Sequence, residues 1–338
     1  MKVSVICTVL NEGQTVQNLL DSLVRQRRAA DEIIFVDGGS TDETVTTLES
    51  YAAKHHLPLK VIVAPGANIS RGRNIAIEAA AGPIIASTDA GVRLAEDWLA
   101  ELLKPFEAES PPQVVAGFFV PDPQTVFELA MGATVLPLVS DISLATFLPS
   151  SRSVAFMKAS WEAAGRYPEW LDYCEDLIFD LRLRAVAGPF AFTPQAIVYF
   201  RPRGSLHAFF KQYYQYARGD GKADLFRKRH AIRYLTYLVA LPLLLMLGVI
   251  VSPWWWLFGA ILGSLGLFYT PYRRLILSWE QLSRNEKLQA SLWVPIIRIT
   301  GDIAKMIGYP VGWKWRLARL STQPELTWQN ENETRIRA

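Results

Sequence analysis

The fold is decided by the stretch Ile33-Ile34-Phe35-Val36-Asp37, which runs directly into Gly38-Gly39-Ser40. The same pattern recurs in Ile84-Ile85-Ala86-Ser87-Thr88-Asp89. Continuous apolar runs bounded by turn residues predict strands that are buried on both faces, as in a parallel sheet. In an open α/β sheet the ligand crevice lies beyond the carboxyl ends of such strands. We therefore expect Asp37 and Asp89 at one crevice, where they can hold a nucleotide, a metal ion or both.

The surrounding sequence alternates between strand-like and helix-like patterns. Strands are predicted at 3–9, 32–37, 59–64, 84–88 and 114–120, and helices at 15–28, 42–54, 70–81 and 95–107. Such alternation predicts an α/β fold with a mostly parallel sheet, Rossmann-like and flanked by helices. Residues 123–200 mix helices with shorter strands, and 205–229 reads as one aromatic-rich amphipathic helix.

Composition narrows the function classes. The chain has 338 residues, with 35 basic and 32 acidic side chains, so it carries no nucleic-acid-binding charge surplus. Its four histidines have neither zinc spacing nor cysteine partners, which argues against a histidine metal site. The turn Asn11-Glu12-Gly13 after the first strand is neither a dinucleotide fingerprint nor a P-loop.

Two uncharged apolar stretches, at 234–251 and 254–269, are near the length needed to cross a bilayer. Basic residues precede the first and follow the second, so the pair is expected to form a hairpin with both flanks in the cytoplasm. A buried helical hairpin in a soluble protein is the alternative. Charged residues are too frequent in 291–317 for a third span, which predicts an interfacial segment. The expected domains are 1–230 as the α/β domain, 231–272 as the transmembrane hairpin, 273–322 as the interfacial segment and 323–338 as a polar tail.

Three groups of side chains could carry chemistry. Asp89 is placed to hold a cation that bridges phosphates, and Asp37 to bind a nucleobase or ribose, although either acid could simply cap a helix. Glu175-Asp176 open a helix, where they either complement its dipole or supply a general base. Asp180 and Arg184, four residues apart on the same helix, are expected to form a surface ion pair. The segment 211–222 places Gln215 and Arg218 on one helical face, for a leaving diphosphate or for lipid headgroups.

The ordered set of motifs resembles the family 2 glycosyltransferases, which are inverting enzymes with the GT-A fold. The motifs are Val5-Ile6-Cys7-Thr8-Val9-Leu10-Asn11-Glu12, Val36-Asp37-Gly38-Gly39-Ser40-Thr41-Asp42, Arg73-Asn74, Thr88-Asp89-Ala90-Gly91 and Glu175-Asp176. The resemblance covers roughly residues 1–230, and its membrane-associated bacterial members are the type expected here.

The resemblance implies a role for each motif. Asp176 would be the catalytic base, and Asp89 would open the metal motif for Mg²⁺ or Mn²⁺. The donor nucleotide would be bound by Thr8, Leu10, Glu12, Asp37, Arg73, Asn74 and Thr88. The acceptor and the diphosphate would meet Glu175, Gln215, Arg218 and Lys222. Gly91 replaces the second acid of the metal motif, and Gly219 replaces the tryptophan of processive synthases.

These observations together predict an inverting glycosyltransferase at the cell (inner) membrane, with its catalytic domain in the cytoplasm. It would move a sugar from a nucleotide-sugar donor to a membrane acceptor, a lipid-linked one being the weaker expectation. Single-sugar transfer is favoured over polymer synthesis. Two alternatives remain: a membrane scaffold with a degenerate transferase domain, and a sugar nucleotidyltransferase.

Overall fold

The computed structural model describes residues 1–328, which form two compact units. Unit 1 comprises residues 1–122, 141–201 and the described residues from 327 onward. Unit 2 comprises residues 123–140 and 202–326. The last ten residues of the predicted polar tail, 329–338, lie outside the described part of the chain.

Unit 1 is built on one eight-stranded sheet. Its strands are β1 (Val3–Val9), β2 (Glu32–Asp37), β3 (Leu59–Val63), β4 (Ile84–Ser87), β5 (Val92–Leu94), β6 (Val114–Pro121), β7 (Val154–Met157) and β8 (Ala191–Phe200). They lie in the order β3-β2-β1-β4-β7-β6-β8-β5. β1 to β4 are mutually parallel, whereas β7 runs antiparallel between β4 and β6, and β5 runs antiparallel to β8.

The α/β class is confirmed, and the sheet is mixed: six of its eight strands run in one direction, and β5 and β7 run in the other. Parallel neighbours require a crossover, usually a helix, and β6 and β8 are such neighbours as well as β1 to β4. β5 and β7 have three and four residues and join the sheet in the opposite direction. Strands so short carry too few side chains for a clear periodic pattern, and β5 was not predicted.

Helices cover both faces of the sheet. They are α1 (Gln17–Val24), α2 (Thr44–His55), α3 (Ile69–Ala79), α4 (Trp98–Leu103), α6 (Lys158–Ala163) and α7 (Glu175–Ala187). A hydrophobic core lies on each face of the sheet. Alternate residues of β1 pack into one core or the other, because successive strand side chains point to opposite faces. Val5 and Cys7 pack with Leu19 and Trp98 in one core, and Ile6 packs in the other. The predicted burial of β1 and β2 on both faces is confirmed.

Unit 2 is helical. It contains α5 (Val126–Val135), α8 (Leu206–Ala223), α9 (Arg227–Leu235), α10 (Leu241–Ile250), α11 (Trp254–Ile276) and α12 (Arg284–Leu317), with a π-helical turn at Thr236–Ala240. The single helix predicted at 205–229 is interrupted. Asp224 and Phe226 both adopt positive φ, at 59° and 55°, so the backbone turns between α8 and α9.

Glycines bring α8 and α12 into close contact. A Cβ at Gly221 would lie 2.3 Å from the carbonyl oxygen of Tyr309, and one at Gly312 would lie 2.0 Å from that of Arg218. Since no side chain fits in such gaps, only glycine allows the two backbones to approach this closely. The outer side of α12 carries exposed aliphatic residues at every third or fourth position, namely Leu288, Leu292, Ile296, Ile299, Ile303, Ile307 and Val311.

The continuous helical stretch Arg227–Ile250 is long and apolar enough to cross a membrane, and it alone is so among residues 1–328. Its most apolar window has a mean hydropathy of 1.9 and is almost entirely exposed. α11, the second predicted span, is long enough but is not apolar enough to count as a membrane-spanning helix. Its three tryptophans and three glycines lower its mean hydropathy, and Arg273 and Arg274 lie in its last turn.

Candidate active site

The loops that follow β1 and β2 are joined by hydrogen bonds. The Asn11 backbone N–H donates to Ser40 Oγ at 2.8 Å, and Asn11 Oδ1 accepts from the Thr41 N–H at 2.9 Å. The N–H groups of Glu12 and Gly13 both donate to Thr44 Oγ1. The carboxyl ends of the two strands therefore form one rim, with Leu10 exposed and Thr8 and Glu12 half-buried along it.

Asp37 is fully buried at the end of β2 and shapes its own loop. Its Oδ2 accepts hydrogen bonds from the backbone N–H groups of Gly39 and Ser40, at 2.9 and 2.8 Å, and its Oδ1 accepts from the Ser40 hydroxyl. These partners occupy both carboxylate oxygens. Asp37 therefore fixes the conformation of the loop Gly38-Gly39-Ser40. Its predicted contact with a nucleotide stays a prediction.

A buried arginine joins three distant parts of unit 1. Arg73, on α3, is 3% exposed. Its Nη1 lies 2.7 Å from Glu175 Oε1 at the start of α7, and its Nη2 lies 2.9 Å from Asp89 Oδ1 beyond β4. The guanidinium also lies 5.3 Å from the ring centroid of Tyr167. Three predicted site residues, Arg73, Asp89 and Glu175, are thus in direct contact.

Asp89 is neutralised by two arginines. Its second oxygen, Oδ2, lies 3.2 Å from Nε of Arg152, a half-buried residue just before β7. Arg152 was not predicted as a site residue, because nothing in Ser150-Ser151-Arg152-Ser153 distinguishes it from a surface arginine. Thr88, next to Asp89, is buried, and its hydroxyl has no hydrogen-bond partner.

The donor set around Asp89 does not fit a preformed divalent-cation site. Within residues 1–328, no group of three or more His, Cys, Asp or Glu side chains could hold a metal ion. Both oxygens of Asp89 face guanidinium groups, and Gly91 supplies no ligand. Hard divalent cations need several oxygen ligands, so a cation here would have to displace at least one arginine.

Asp176 follows Glu175 in the first turn of α7. Its Oδ1 accepts a hydrogen bond from the Leu177 N–H at 2.9 Å, and the side chain is half-buried. Burial raises the pKa of the Asp176 carboxyl above its ordinary value, and the charges of Arg73 and Arg152 act in the opposite direction. A carboxylate with a raised pKa beside cationic groups is suited to accept a proton from a substrate.

Asp180, one turn further along α7, corrects an expectation. It was predicted to form a surface ion pair with Arg184, but it is only 2% exposed, and its Oδ2 has no hydrogen-bond partner. Burial raises the pKa of Asp180 well above its ordinary value, which favours the neutral acid. Arg184 instead donates to backbone carbonyl groups of Ala145 and Phe147.

Asn74 uses its whole hydrogen-bonding capacity inside unit 1. Its amide nitrogen donates to the carbonyl oxygen of Tyr167 and to Glu169 Oε1, at 3.0 and 2.9 Å. Its amide oxygen accepts from Trp161 Nε1 and from the Tyr167 N–H. An amide offers two donors and two acceptor sites, so none is left for a ligand. Asn74 positions the chain before α7, and its predicted contact with the donor nucleotide stays a prediction.

The remaining predicted residues lie on α8 in unit 2. Gln215 and Arg218 are half-buried there. Lys222 is buried, with its Nζ 4.7 Å from the ring of Trp315. Their roles toward an acceptor or a diphosphate remain predictions.

Comparisons with known proteins agree with this architecture. The fold of the chain matches the mannosyltransferase PcManGT of Pyrobaculum calidifontis, solved with GDP-Man and Mn²⁺, at a TM-score of 0.54 and 18% identity. The match covers 94% of this chain and 87% of that one. The fold is thus of the GT-A class. Residues 4–134 match the sequence model of glycosyl transferase family 2.

Two curated relatives show the same similarity. The chain is 37% identical over 90 residues to the uncharacterized glycosyltransferase YibD of Escherichia coli (strain K12), which covers 26% of each chain. It is 35% identical over 120 residues to the uncharacterized glycosyltransferase YfnE of Bacillus subtilis (strain 168), covering 35% of this chain and 30% of the relative. The matches thus span less than a third of either relative.

Proposed function

We propose that this protein is a glycosyltransferase that moves a sugar from a nucleotide-sugar donor to a membrane-associated acceptor, with inversion at the sugar. The observation that carries the proposal is the bridge from Asp89 through Arg73 to Glu175. It brings the end of β4 and the start of α7 together, so that Asp176 and two arginines lie at one place. The match of residues 4–134 to the family 2 model supports the same activity.

The residues of unit 1 have distinct tasks in this reaction. Asp176 takes the proton of the acceptor hydroxyl as its oxygen forms a bond to the anomeric carbon of the sugar. The bond from that carbon to the diphosphate breaks on the opposite side, and the nucleoside diphosphate leaves with the bonding electrons. Arg152, half-exposed beside Asp89, stabilises the charge that develops on the diphosphate.

Mg²⁺ or Mn²⁺ is the cofactor predicted from the sequence, and PcManGT was solved with Mn²⁺. In the present arrangement Asp89 would bind a cation only after Arg152 or Arg73 released it. We therefore assign the charge stabilisation to the arginines and no step to a metal.

A ligand screen tests the activity. The full chain in detergent is heated with UDP-, GDP-, dTDP- and CMP-sugars, each with and without Mn²⁺, and with ATP as the control. At a hundredfold excess over its Kd, a true donor stabilises the folded state by about 2.7 kcal/mol, which raises Tm. No Tm rise and no sugar release with any donor would contradict the proposal and favour a scaffold. Formation of pyrophosphate from a nucleoside triphosphate and a sugar phosphate would identify a nucleotidyltransferase instead.

We further propose that unit 2 attaches the enzyme to the cytoplasmic face of a membrane. The helix Arg227–Ile250 begins with the exposed basic residues Arg227, Lys228 and Arg229 and continues as an apolar span. The aliphatic side of α12 would lie in the lipid interface, and α11 would complete the hairpin.

Membrane extraction checks the attachment. We expect the full chain to stay in the membrane pellet after alkaline carbonate treatment, because a spanning helix resists conditions that remove peripheral proteins. Release into the supernatant would contradict the span.

A further inference from the structure

Asp180 is a buried carboxyl group that lies one turn along α7 from Asp176. It is 2% exposed, and its Oδ2 has no hydrogen-bond partner among residues 1–328. Leaving a buried polar group unpaired costs free energy, so such a group in a folded protein calls for an explanation in terms of function. Asp180 has no task in the proposed reaction so far.

Two arginines act on Asp180 electrostatically, and both are committed to other partners. Arg73, on α3, is shared by Glu175 and Asp89. Arg184, one turn further along α7, donates to two backbone carbonyl groups. Neither guanidinium forms an ion pair with Asp180, so a negative charge on this carboxyl would lack a direct counterion.

The charges at the start of α7 indicate that one acid keeps its proton. The acids are Asp89, Glu175, Asp176 and Asp180, and the cations that act on them are Arg73, Arg152 and Arg184. With every acid ionised, one buried negative charge would be uncompensated. Asp180 is the acid that stays neutral, because Glu175 has its ion pair with Arg73, and Arg73 and Arg152 favour the ionised form of Asp176. Burial, reinforced by the charge of Asp176, raises the pKa of Asp180 well above its ordinary value.

Tyr167, on the segment before α7, is a further titratable group that acts on Asp180. Its ring stacks on Phe179 with the centroids 4.0 Å apart, and its hydroxyl lies 3.1 Å from Ser151 Oγ in a hydrogen bond. Burial raises the pKa of Tyr167 above its ordinary value, so the phenol stays neutral. Tyr167 therefore neither supplies a charge to Asp180 nor removes one.

Helix geometry turns Asp180 toward Asp176. Residues four apart lie on one face of a helix, with their Cβ atoms about 5–6 Å apart. Helical side chains also lean toward the preceding turn, which for Asp180 is the turn that contains Asp176. Asp176 Oδ1 accepts the Leu177 N–H, and the other oxygen of Asp176 has no hydrogen bond to residues 1–328. A neutral acid at position 180 is thus near a carboxylate that can still accept a hydrogen bond.

We propose that Asp180 is a positioning residue for the base: a carboxylic acid that keeps its proton and donates it in a hydrogen bond to the Asp176 carboxylate. This bond stabilises the charged form of Asp176 and so opposes the effect of burial on it. It also leaves a single negative charge on this face of the helix, where two like charges would repel each other. The purpose of the bond rests on the proposed glycosyl transfer, but the bond itself can be measured without substrate.

Infrared difference spectroscopy of the full chain in detergent tests the protonation of Asp180. Subtracting the spectrum of Asp180→Asn from that of the wild type at neutral pH isolates the carboxyl group of Asp180. We expect the C=O band of a protonated, hydrogen-bonded acid. The same subtraction with Glu162→Gln is the matched control and should give a carboxylate signal, because the Glu162 side chain is 70% exposed on α6. A carboxylate signal for Asp180 would overturn the proposal.

Titration of Asp176 tests what the hydrogen bond does. The pKa of Asp176 is read from the difference between spectra with and without Asp176→Asn, in the wild type and in two Asp180 variants. Asp180→Leu cannot donate a hydrogen bond, so the pKa of Asp176 should rise by about one to two pH units, the value of a hydrogen bond to a charged group. Asp180→Asn can donate through its amide and should keep that pKa within about half a pH unit.

Two results of the titration would contradict the bond. An unchanged pKa of Asp176 in Asp180→Leu would show that nothing is donated to it. A lower pKa of Asp176 in Asp180→Asn would show that the wild-type Asp180 is ionised, because neutralising a nearby negative charge favours the ionised base. If Asp180→Leu fails to fold, Asp180→Asn still decides the protonation of Asp180.

The pH profile of sugar release connects the bond to catalysis. The donor is the nucleotide sugar that raises Tm in the ligand screen, and water is the acceptor. The acid limb of Asp180→Leu should lie at higher pH than that of the wild type, by the same one to two pH units or so. A rate lowered equally at every pH would show a merely structural role and overturn the proposal. If no donor releases sugar, the transferase proposal fails and the infrared results decide the bond; if sugar is released but the infrared signal is absent, only the positioning role fails.

Discussion

Replacing Asp176 by Asn is expected to lower the rate of sugar transfer by about 10²–10⁴-fold, the range that general-base catalysis contributes. The amide keeps the shape of the side chain but cannot accept the proton of the acceptor hydroxyl. Donor affinity should stay within about twofold, because Asp176 faces the acceptor in the proposed reaction and not the nucleotide. The measurement is initial transfer rate together with donor binding on the same preparation.

The pH profile separates a base from a binding residue. Because burial raises the pKa of Asp176, the transfer rate of the wild type should fall as the pH drops through that raised value and the carboxylate becomes protonated. The Asn variant should lose this acid limb. Asp97→Asn, in a surface ion pair with Arg27, serves as the control and should transfer normally. An equal loss of donor affinity and of transfer in the Asp176 variant would contradict the base assignment.

Replacing Arg73 by Met is expected to reduce the free energy of unfolding of unit 1 by about 3–5 kcal/mol, the usual cost of removing one partner of a buried ion pair. The change leaves Glu175 without its cation at 6% exposure and removes one of the two arginines on Asp89. Urea unfolding of the full chain, followed by tryptophan fluorescence, measures the loss. Arg71→Met is the matched control, because Arg71 is exposed on the same helix and should change little.

The double variant Arg73→Met with Glu175→Gln identifies the cause. If the uncompensated carboxylate is what destabilises unit 1, then neutralising it should recover at least about 1 kcal/mol relative to Arg73→Met alone. Additive losses in the double variant would show instead that Arg73 acts through packing, for example against the ring of Tyr167.

The parts of the fold that sequence could predict are those with strong local patterns. β1 and β2 have the predicted bounds, because uninterrupted apolar residues filled both cores. Of the two strands that run against the others, β5 escaped prediction, since its three residues are defined by pairing with β8 and not by their own composition. The break between α8 and α9 occurs at Asp224 and Phe226, neither of which is a usual helix breaker.

The same distinction applies to the candidate site. The strand-end rule led to Asp89, and the position of Glu175-Asp176 at a helix start agreed with the structure. The partners of these acids are tertiary: Arg73 lies 102 residues from Glu175, and Arg152 has no local motif at all. The burial of Asp180 and the four hydrogen bonds of Asn74 could not be predicted either. Both are set by how distant parts of the chain pack together.

The close contact between Gly221 on α8 and the backbone around Gly312 on α12 has a consequence for biosynthesis. At about 5–20 residues per second, a ribosome adds the intervening 90 or so residues in roughly 5 to 20 seconds. Throughout that interval α8 has emerged without its partner, while the apolar helices α10 and α11 are being made. On the proposed membrane attachment, insertion of the apolar span into lipid during translation would shield it while α8 waits for its partner.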